Sequence, residues 1–269
     1  MPAELVIPNT YNDGEHGEAN IVDIEDVLEG ANRLAGGFYN NDDIVSVVLP
    51  STITSLKFQA FGDCDNLKHI RFAPNAQITS IDSTTFGVTN LKSIVIPASL
   101  TDMSLISLAE LESIVVEEGN TKYTSRDANG NECNALIEIA TNTLVMGCKN
   151  TVIPNTVEVI GDAAFAGCEG LESITIPNSV TTISWSAFSN CTSLTEVVIP
   201  ASVTTIGTYV FGGCTNLTEV TFEDCDAWTC TNDEGSTILD AVELSDKAIA
   251  ATYLTETYLP YSWTLSNEE

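Results

Sequence analysis

The stretch that decides the fold begins at Ile153, where three segments align without a gap: IPNTVEVIGDAAFAGCEGLESIT from Ile153, IPNSVTTISWSAFSNCTSLTEVV from Ile176 and IPASVTTIGTYVFGGCTNLTEVT from Ile199. Four residue types recur at a spacing of 23 residues. They are Pro154, Pro177 and Pro200; Phe165, Phe188 and Phe211; Cys168, Cys191 and Cys214; and Leu171, Leu194 and Leu217. Self-similarity at this period predicts a solenoid, in which each repeat buries its apolar face only against its neighbours.

The repeat extends towards the N-terminus in less regular copies. Its markers there are Phe38; Pro50, Phe61, Cys64 and Leu67; Pro74, Phe86 and Leu91; and Pro97 with the segment Leu111–Val116. The sequence predicts seven repeats between residues 27 and 222, with an elaborated unit at 117–153.

Each repeat has the same predicted anatomy. It ends in alternating apolar residues, as in Leu217–Phe222, which is typical of a short strand with one buried face. Proline ends this strand because it has no N–H for a continuing ladder. A second short extended piece follows, such as Ser179–Ile183, and then a compact turn of helix or 3₁₀ carries the Phe and Cys inward. Strands of successive repeats should stack in parallel about 4.8 Å apart.

The string I-P-x-S-V-T-x-I-x-x-x-A-F-x-x-C-x-x-L-x-x-V resembles the BspA-type leucine-rich repeat, a family of bacterial cell surfaces and some protozoan parasites. The resemblance covers most of the chain. It implies a right-handed, mostly β solenoid of α/β type, with a parallel sheet and short helical or 3₁₀ turns. It also implies adhesive or ligand-binding roles, without known catalysis. Glu118–Arg126 and Cys133–Ile139 resemble the extended unit found inside such proteins.

Three segments are predicted: an N-terminal cap or anchoring segment at 1–26, the solenoid at 27–222 and a C-terminal cap at 223–269. Apolar residues between Asp23 and Leu34 fall at helical spacing and predict a short amphipathic helix. In the C-terminal cap we expect a helix over Asp246–Leu254 with Ser245 as its N-cap. In the elaborated unit, Asn134–Ile139 and Thr143–Gly147 should form a hairpin.

The charge balance excludes some partners. Lys and Arg total 9 against 38 Asp and Glu, giving a formal net charge of −29. Nucleic acid and anionic membrane surfaces are therefore not expected as partners, because phosphate binding needs clustered cations. The charge has two interpretations: solubility of an open-ended sheet, or attraction for cationic partners or divalent ions.

The eight cysteines fall into two groups. Cys64, Cys168, Cys191 and Cys214 share one repeat position beside the buried Phe, where Cys packs as a small hydrophobe, so we expect them to be reduced. Cys225 could bridge Cys230, and Cys133 could bridge Cys148; the spacing leaves both open. Zinc is not expected, because no C-x-x-C pair is present.

The sequence gives two expectations about location. It contains no apolar run of the roughly 18–20 residues that a membrane-spanning helix needs, and its start lacks the features of a signal peptide. The family resemblance implies an extracellular or cell-surface location, as a mature or trimmed form. The alternative is a place in a virus particle.

No catalytic motif is apparent. The two histidines, His16 and His69, lie outside any nucleophile motif, and no P-loop, Rossmann fingerprint or H-E-x-x-H occurs. Asp127–Glu132 has some features of a calcium loop, but its Gly is misplaced, which favours a tight turn. The sequence therefore predicts neither an enzyme nor a metal or cofactor site.

The predicted binding surface is the outward face of the strands. Because side chains alternate along a strand, every second residue should point to solvent. These residues are Ser46, Val48, His69, Arg71, Ser93, Val95, Ser113, Val115, Ser173, Thr175, Glu196, Val198, Glu219 and Thr221. Val95 and Val115 should be adjacent, leaving an apolar strip that can mark a partner site, although valine also simply favours strands.

A rival site is the aromatic cluster Trp228, Tyr253, Tyr258, Tyr261 and Trp263, which could stack on a sugar or pack the cap. Three functions follow as hypotheses. The first is adhesion or recognition of a protein or glycan partner through the sheet, the second is a structural virion or fibre component, and the third is a carbohydrate-binding module.

Overall fold

The structure is a computed structural model of the whole chain. It describes residues 4–6, 10–12, 18–20, 23–24, 27–29, 32–34, 38–56, 59–81, 85–86, 89–103, 108, 110–232 and 234–265. These residues form a mostly β solenoid with parallel sheets and few helices. The chain divides into two compact units, Met1–Thr124 and Ser125–Glu269.

The strands of the N-terminal unit are short. In chain order they are β1 Glu4–Val6, β2 Thr10–Asn12, β3 Glu18–Asn20, β4 Asp23–Ile24, β5 Val27–Glu29, β6 Asn32–Leu34, β7 Ser46–Leu49, β8 Ser55–Leu56, β9 His69–Phe72, β10 Ser80–Ile81, β11 Ser93–Ile96, β12 Asp102–Met103 and β13 Ser113–Val116. Strands β7 and β11 end immediately before Pro50 and Pro97, as the missing proline N–H predicts.

Two parallel ladders run through this unit. The first ladder, in the order β1-β7-β9-β11-β13, contains the strand that precedes the proline of each repeat. The second ladder, β12-β10-β8-β4, contains the two-residue strand that follows it. Two antiparallel pairs, β2 with β3 and β5 with β6, lie outside the ladders.

The C-terminal unit continues the same plan and ends in helices. Its elements are β14 Tyr123–Arg126, which spans the unit boundary, β15 Glu132–Glu138, β16 Thr143–Met146, β17 Val159–Ile160, β18 Thr182–Ile183, β19 Glu196–Ile199, β20 Thr205–Ile206, β21 Glu219–Phe222, β22 Trp228–Asn232, β23 Gly235–Ile238, α1 Ala241–Leu244, α2 Lys247–Thr252, a π-helical turn Tyr253–Thr257 and β24 Ser262–Leu265. The second ladder of this unit runs β16-β17-β18-β20 and is closed by β24, β22 and β23. The first ladder consists of β19 and β21 alone.

The buried phenylalanines form the predicted stacks. The rings of Phe165 and Phe188 lie 5.0 Å apart with an interplanar angle of 9°, and those of Phe188 and Phe211 lie 5.4 Å apart at 4°. In the N-terminal unit Phe38 stacks on Phe61 at 5.3 Å. Repeats one period apart therefore lie directly upon one another within each unit.

The turn that carries Phe and Cys is hydrogen-bonded to the next repeat. Phe165 N donates to Ala187 O at 2.7 Å, and Phe188 N donates to Val210 O at 2.9 Å. In this segment the structure has isolated turns rather than a continuous 3₁₀ helix, because alternate amides bond to the next repeat and only the others bond along the chain.

The hairpin in the elaborated unit is confirmed. Strands β15 and β16 pair antiparallel, with Ile137 opposite Leu144 and Glu138 opposite Thr143. Asn142 occupies the turn with φ 51°, a conformation that Asn tolerates.

The helix predicted between Asp23 and Leu34 is wrong. The described residues there are strands, since β4 pairs in parallel with β8 and β5 forms a hairpin with β6. The pairing of Asp23–Ile24 with Ser55–Leu56 outweighs the helical spacing, and a glycine at position 30 already weakens a helix by about 1 kcal/mol.

The C-terminal helix is present, but its predicted N-cap is wrong. Asp246 caps α2, accepting hydrogen bonds from Ala248 N at 3.0 Å and Ile249 N at 3.2 Å. Ser245 instead ends α1, and its hydroxyl donates to Val242 O at 2.7 Å. Aspartate outcompetes the serine because its carboxylate reaches two amides at once.

Candidate functional site

The first ladder of the N-terminal unit presents an ordered outward face. Along β9, His69 and Arg71 are exposed while Ile70 and Phe72 are buried, and β7, β11 and β13 alternate in the same way. The register aligns the predicted residues in two columns. One column contains Ser46, His69, Ser93 and Ser113, and the other contains Val48, Arg71, Val95 and Val115.

The structure adds a rung that the sequence interpretation missed. Strand β1 pairs in parallel with β7, so that Glu4 continues the column of Ser46 and Val6 continues the column of Val48. Val6 is 62% exposed. A signal for this rung was available, because residues 6–10 read VIPNT and residues 152–156 repeat the same five letters.

Polar contacts hold the charged members of this face, which we call the N-terminal face. The guanidinium of Arg71 pairs with the carboxylate of Glu4, and His69 Nδ1 lies 2.9 Å from Ser93 Oγ. Beside Ser93, Lys92 pairs with Glu110, and this hydrogen bond raises the pKa of Lys92. The adjacent Val95 and Val115 are half-buried apolar groups on the same face.

In the C-terminal unit only part of the predicted face is a ladder. Glu196 pairs with Glu219 and Val198 with Thr221, and Val198 is 47% exposed. Lys247 from α2 lies 3.3 Å from the Glu219 carboxylate. These outward residues form the C-terminal face.

Ser173 and Thr175 are exposed, but the strand predicted at Leu171–Ile176 is absent. Among the described residues, no backbone hydrogen bond joins 172–176 to the repeat on either side. The preceding turn of chain is the elaborated unit, whose residues 151–153 are also outside any strand, so the ladder does not continue on that side.

A groove opens at this point of the C-terminal face. It encloses about 690 Å³ and includes residues of three successive repeats, notably Val152, Ile174, Thr175 and Val198. Val152 lies one period before Thr175 and is 67% exposed, so it belongs to the same column, although the sequence interpretation did not include it.

The cysteines are buried packing groups. Cys191 Sγ donates to Phe165 O at 3.2 Å and Cys214 Sγ donates to Phe188 O at 3.0 Å, so the thiol bonds to the preceding repeat as well as filling space. Neither suggested disulfide is formed, and the eight cysteines are all reduced. Burial raises the pKa of Cys230 to about 12, which disfavours the nucleophilic thiolate.

Asp127 closes a tight turn, as predicted. Its carboxylate accepts hydrogen bonds from Asn129 N and Asn131 N, both at 2.8 Å, and from Asn131 Nδ2 at 2.9 Å. The bonds from Asn131 lower the pKa of Asp127. Across the described part of the chain, no group of three or more His, Cys, Asp or Glu is arranged to hold a metal ion. His16 lies outside the described residues.

The aromatic cluster packs the C-terminal cap. Trp228 and Trp263 are each 1% exposed, and Trp263 stacks on Phe222 at 5.9 Å. Tyr258 contacts Tyr253, Tyr261 and Trp263 in edge-on geometry. Since both indoles are buried, they offer no face to a sugar, whereas Tyr253, Tyr258 and Tyr261 are partly exposed.

In the part of the chain that the structure describes, none of the helices has the length and apolar character needed to span a membrane.

Comparison with known families shows to which family the chain belongs. The model of the BspA type leucine-rich repeat region matches residues 35–143 and 138–232, with six copies of the repeat. The chain belongs to this family. No curated protein matches it.

Solved structures of bacterial leucine-rich repeat proteins are similar in fold. The pneumococcal vaccine antigen PcpA is 18% identical with a TM-score of 0.54, over 83% of this chain and 73% of PcpA. A protein from Eubacterium ventriosum is 23% identical with a TM-score of 0.49, over 81% and 67% of the two chains. One from Bacteroides ovatus is 20% identical with a TM-score of 0.47, over 82% and 63%.

Proposed function

We propose that this chain is a non-enzymatic binding or adhesion protein that recognises a protein partner through the outward face of its first ladder, outside the cell. The observation that carries the proposal is the register of the N-terminal face, which places Val95 beside Val115 on an otherwise acidic molecule. An apolar strip with polar edges is the usual centre of a partner site.

Two further observations support the proposal. No catalytic motif or metal cluster occurs among the described residues, so binding fits the surface better than catalysis. The family is one of repeat proteins, and PcpA, which shares the fold, is a vaccine antigen; both support an extracellular or cell-surface location.

The proposal is tested by substitutions of the two valines that leave the fold intact. Val95→Glu combined with Val115→Glu should weaken binding to a captured partner at least tenfold, because two carboxylates would have to be desolvated in the interface. Surface plasmon resonance on purified partner gives the affinity, and circular dichroism checks the fold.

Val242→Glu is the matched control. Val242 lies on α1 and is 78% exposed, so the same substitution there adds one carboxylate on an element other than β11 and β13. The control should bind like the wild type. Unchanged binding by the double variant would exclude the valine strip as the site.

A further inference from the structure

The break in the first ladder of the C-terminal unit is local. The second ladder passes through the same repeats without interruption, since Val159–Ile160 pairs with Thr182–Ile183, which pairs with Thr205–Ile206. The Phe165, Phe188 and Phe211 rings also stack across the break. The repeats are therefore held together on one side and open on the other.

The open side leaves backbone groups without ladder partners. In a regular solenoid, residues 172–176 would bond to the strand Glu196–Ile199 one period later, as that strand bonds to Glu219–Phe222. Within the described residues these bonds are absent. Backbone N–H and C=O groups need partners, and an extended peptide that adds to an open sheet edge supplies them.

The groove at the break has room for side chains as well. Its volume is about 690 Å³, and Ile174 is partly exposed in it, whereas the equivalent residues Val197 and Val220 are buried at 2% and 0%. With the exposed Val152 and Val198, the groove has an apolar floor that an alternating side chain of a bound strand would cover.

The charges around the groove favour a positively charged ligand. No Lys or Arg lines the groove, and its one charged residue is Glu223. Glu196, an outward residue, and Glu172, which precedes the outward Ser173, are also exposed. A segment with Lys or Arg at the outward positions of its strand would pair with these carboxylates.

We propose that this groove binds an extended peptide segment of the partner, with apolar residues alternating with Lys or Arg, by backbone hydrogen bonds to residues 172–176 and insertion of apolar side chains against Ile174. The assignment rests on the proposed function and names the kind of segment that the protein recognises.

Hydrogen–deuterium exchange with a defined peptide tests the site directly. In the free protein the amides of 172–176 should exchange much faster than those of Glu219–Phe222, because they have no ladder bonds. Adding a capped (Lys-Val)4 peptide should slow exchange at 172–176 at least tenfold. The same peptide with alternate amides methylated should not, since it cannot donate the strand hydrogen bonds.

Two comparisons make the result decisive. A capped (Glu-Val)4 peptide should give no protection, and Val198→Lys should weaken (Lys-Val)4 binding at least tenfold, while Val242→Lys should leave it unchanged. Retained slow exchange at Glu219–Phe222 shows that each variant is folded. No protection by (Lys-Val)4, or equal protection by the methylated or acidic peptide, would overturn the assignment.

The two proposals fail separately. If Val95→Glu with Val115→Glu abolishes partner binding but the peptide does not protect 172–176, the groove is not a peptide site and the proposed function stands. If the peptide protects 172–176 but the double valine variant binds the partner as the wild type does, the groove remains a peptide site and the N-terminal face is not the binding site.

Discussion

At the scale of single residues, two positions of the three repeats that begin at Ile153 recur in the left-handed region: one holds Ala163, Ser186 and Tyr209, and the other holds only Gly or Asn. Gly167, Asn190 and Gly213 follow one another at the repeat spacing, with φ of 72°, 58° and 75°. Glycine and asparagine tolerate this conformation better than other residues. The alignment of Gly, Asn and Gly at one column could have indicated the conformation from sequence, because few residue types suit it.

Gly213→Ala should destabilise the protein by about 2–3 kcal/mol. A Cβ there would strain the backbone by about 1–2 kcal/mol and would lie 2.2 Å from Asn190 Oδ1, forcing that side chain to move. Gly130→Ala is the matched control, since its φ is also positive at 84° but nothing lies within 4 Å of the added Cβ. Urea unfolding should show the larger loss for Gly213→Ala; equal losses would argue against the contact with Asn190.

The buried thiols predict how stability depends on pH. Burial raises the pKa of Cys64 and of Cys133, and it raises that of Cys230 to about 12. Below about pH 8.5 the thiols are protonated in both states. Above it the unfolded chain loses protons that the folded protein keeps, so the free energy of unfolding falls as pH rises.

Each such thiol should lower the free energy of unfolding by up to about 1.4 kcal/mol per pH unit in this window. For Cys230 the window extends to about pH 12. Urea unfolding at intervals from pH 7.5 to 10.5 measures the slope, and Cys230→Ala should make it shallower. A slope that Cys230→Ala leaves unchanged would contradict protonation of this thiol in the folded state.

At the scale of elements, the sequence correctly predicted the strands and turns that depend only on local sequence pattern. Alternation in Glu219–Phe222, the stop of β7, β11 and β19 at the following proline and the hairpin around Asn142 all follow from local chemistry, and the structure confirms them. Leu171–Ile176 has the same pattern as its neighbours but forms no strand. A strand also needs backbone hydrogen bonds to a neighbouring turn of chain, and the local pattern does not determine these.

Two strands of the N-terminal segment were not predicted from the sequence. The pattern between Asp23 and Leu34 suggested a helix, yet Asp23–Ile24 joins the second ladder, because pairing with an existing strand outweighs weak local propensity. The place of Glu4–Val6 in the first ladder was missed for a different reason: a single copy of the motif is short and lacks its own Phe and Cys. The division into caps at 1–26 and 223–269 stays a prediction.

At the scale of the whole molecule, the charge of −29 sets the conditions for any partner. Arg71, Lys92 and Lys247, three cations at the two faces, are each paired with a glutamate. A partner with basic side chains would approach faster at low ionic strength, and salt would slow it.

The central claim is that residues one repeat apart lie side by side, since a slip of one residue would turn each outward column inward. Through-space NMR contacts between α and amide protons of neighbouring strands measure this register directly. We predict contacts that align Val95 with Val115 and Val197 with Val220. Contacts displaced by one residue, or their absence between these strands, would contradict the account.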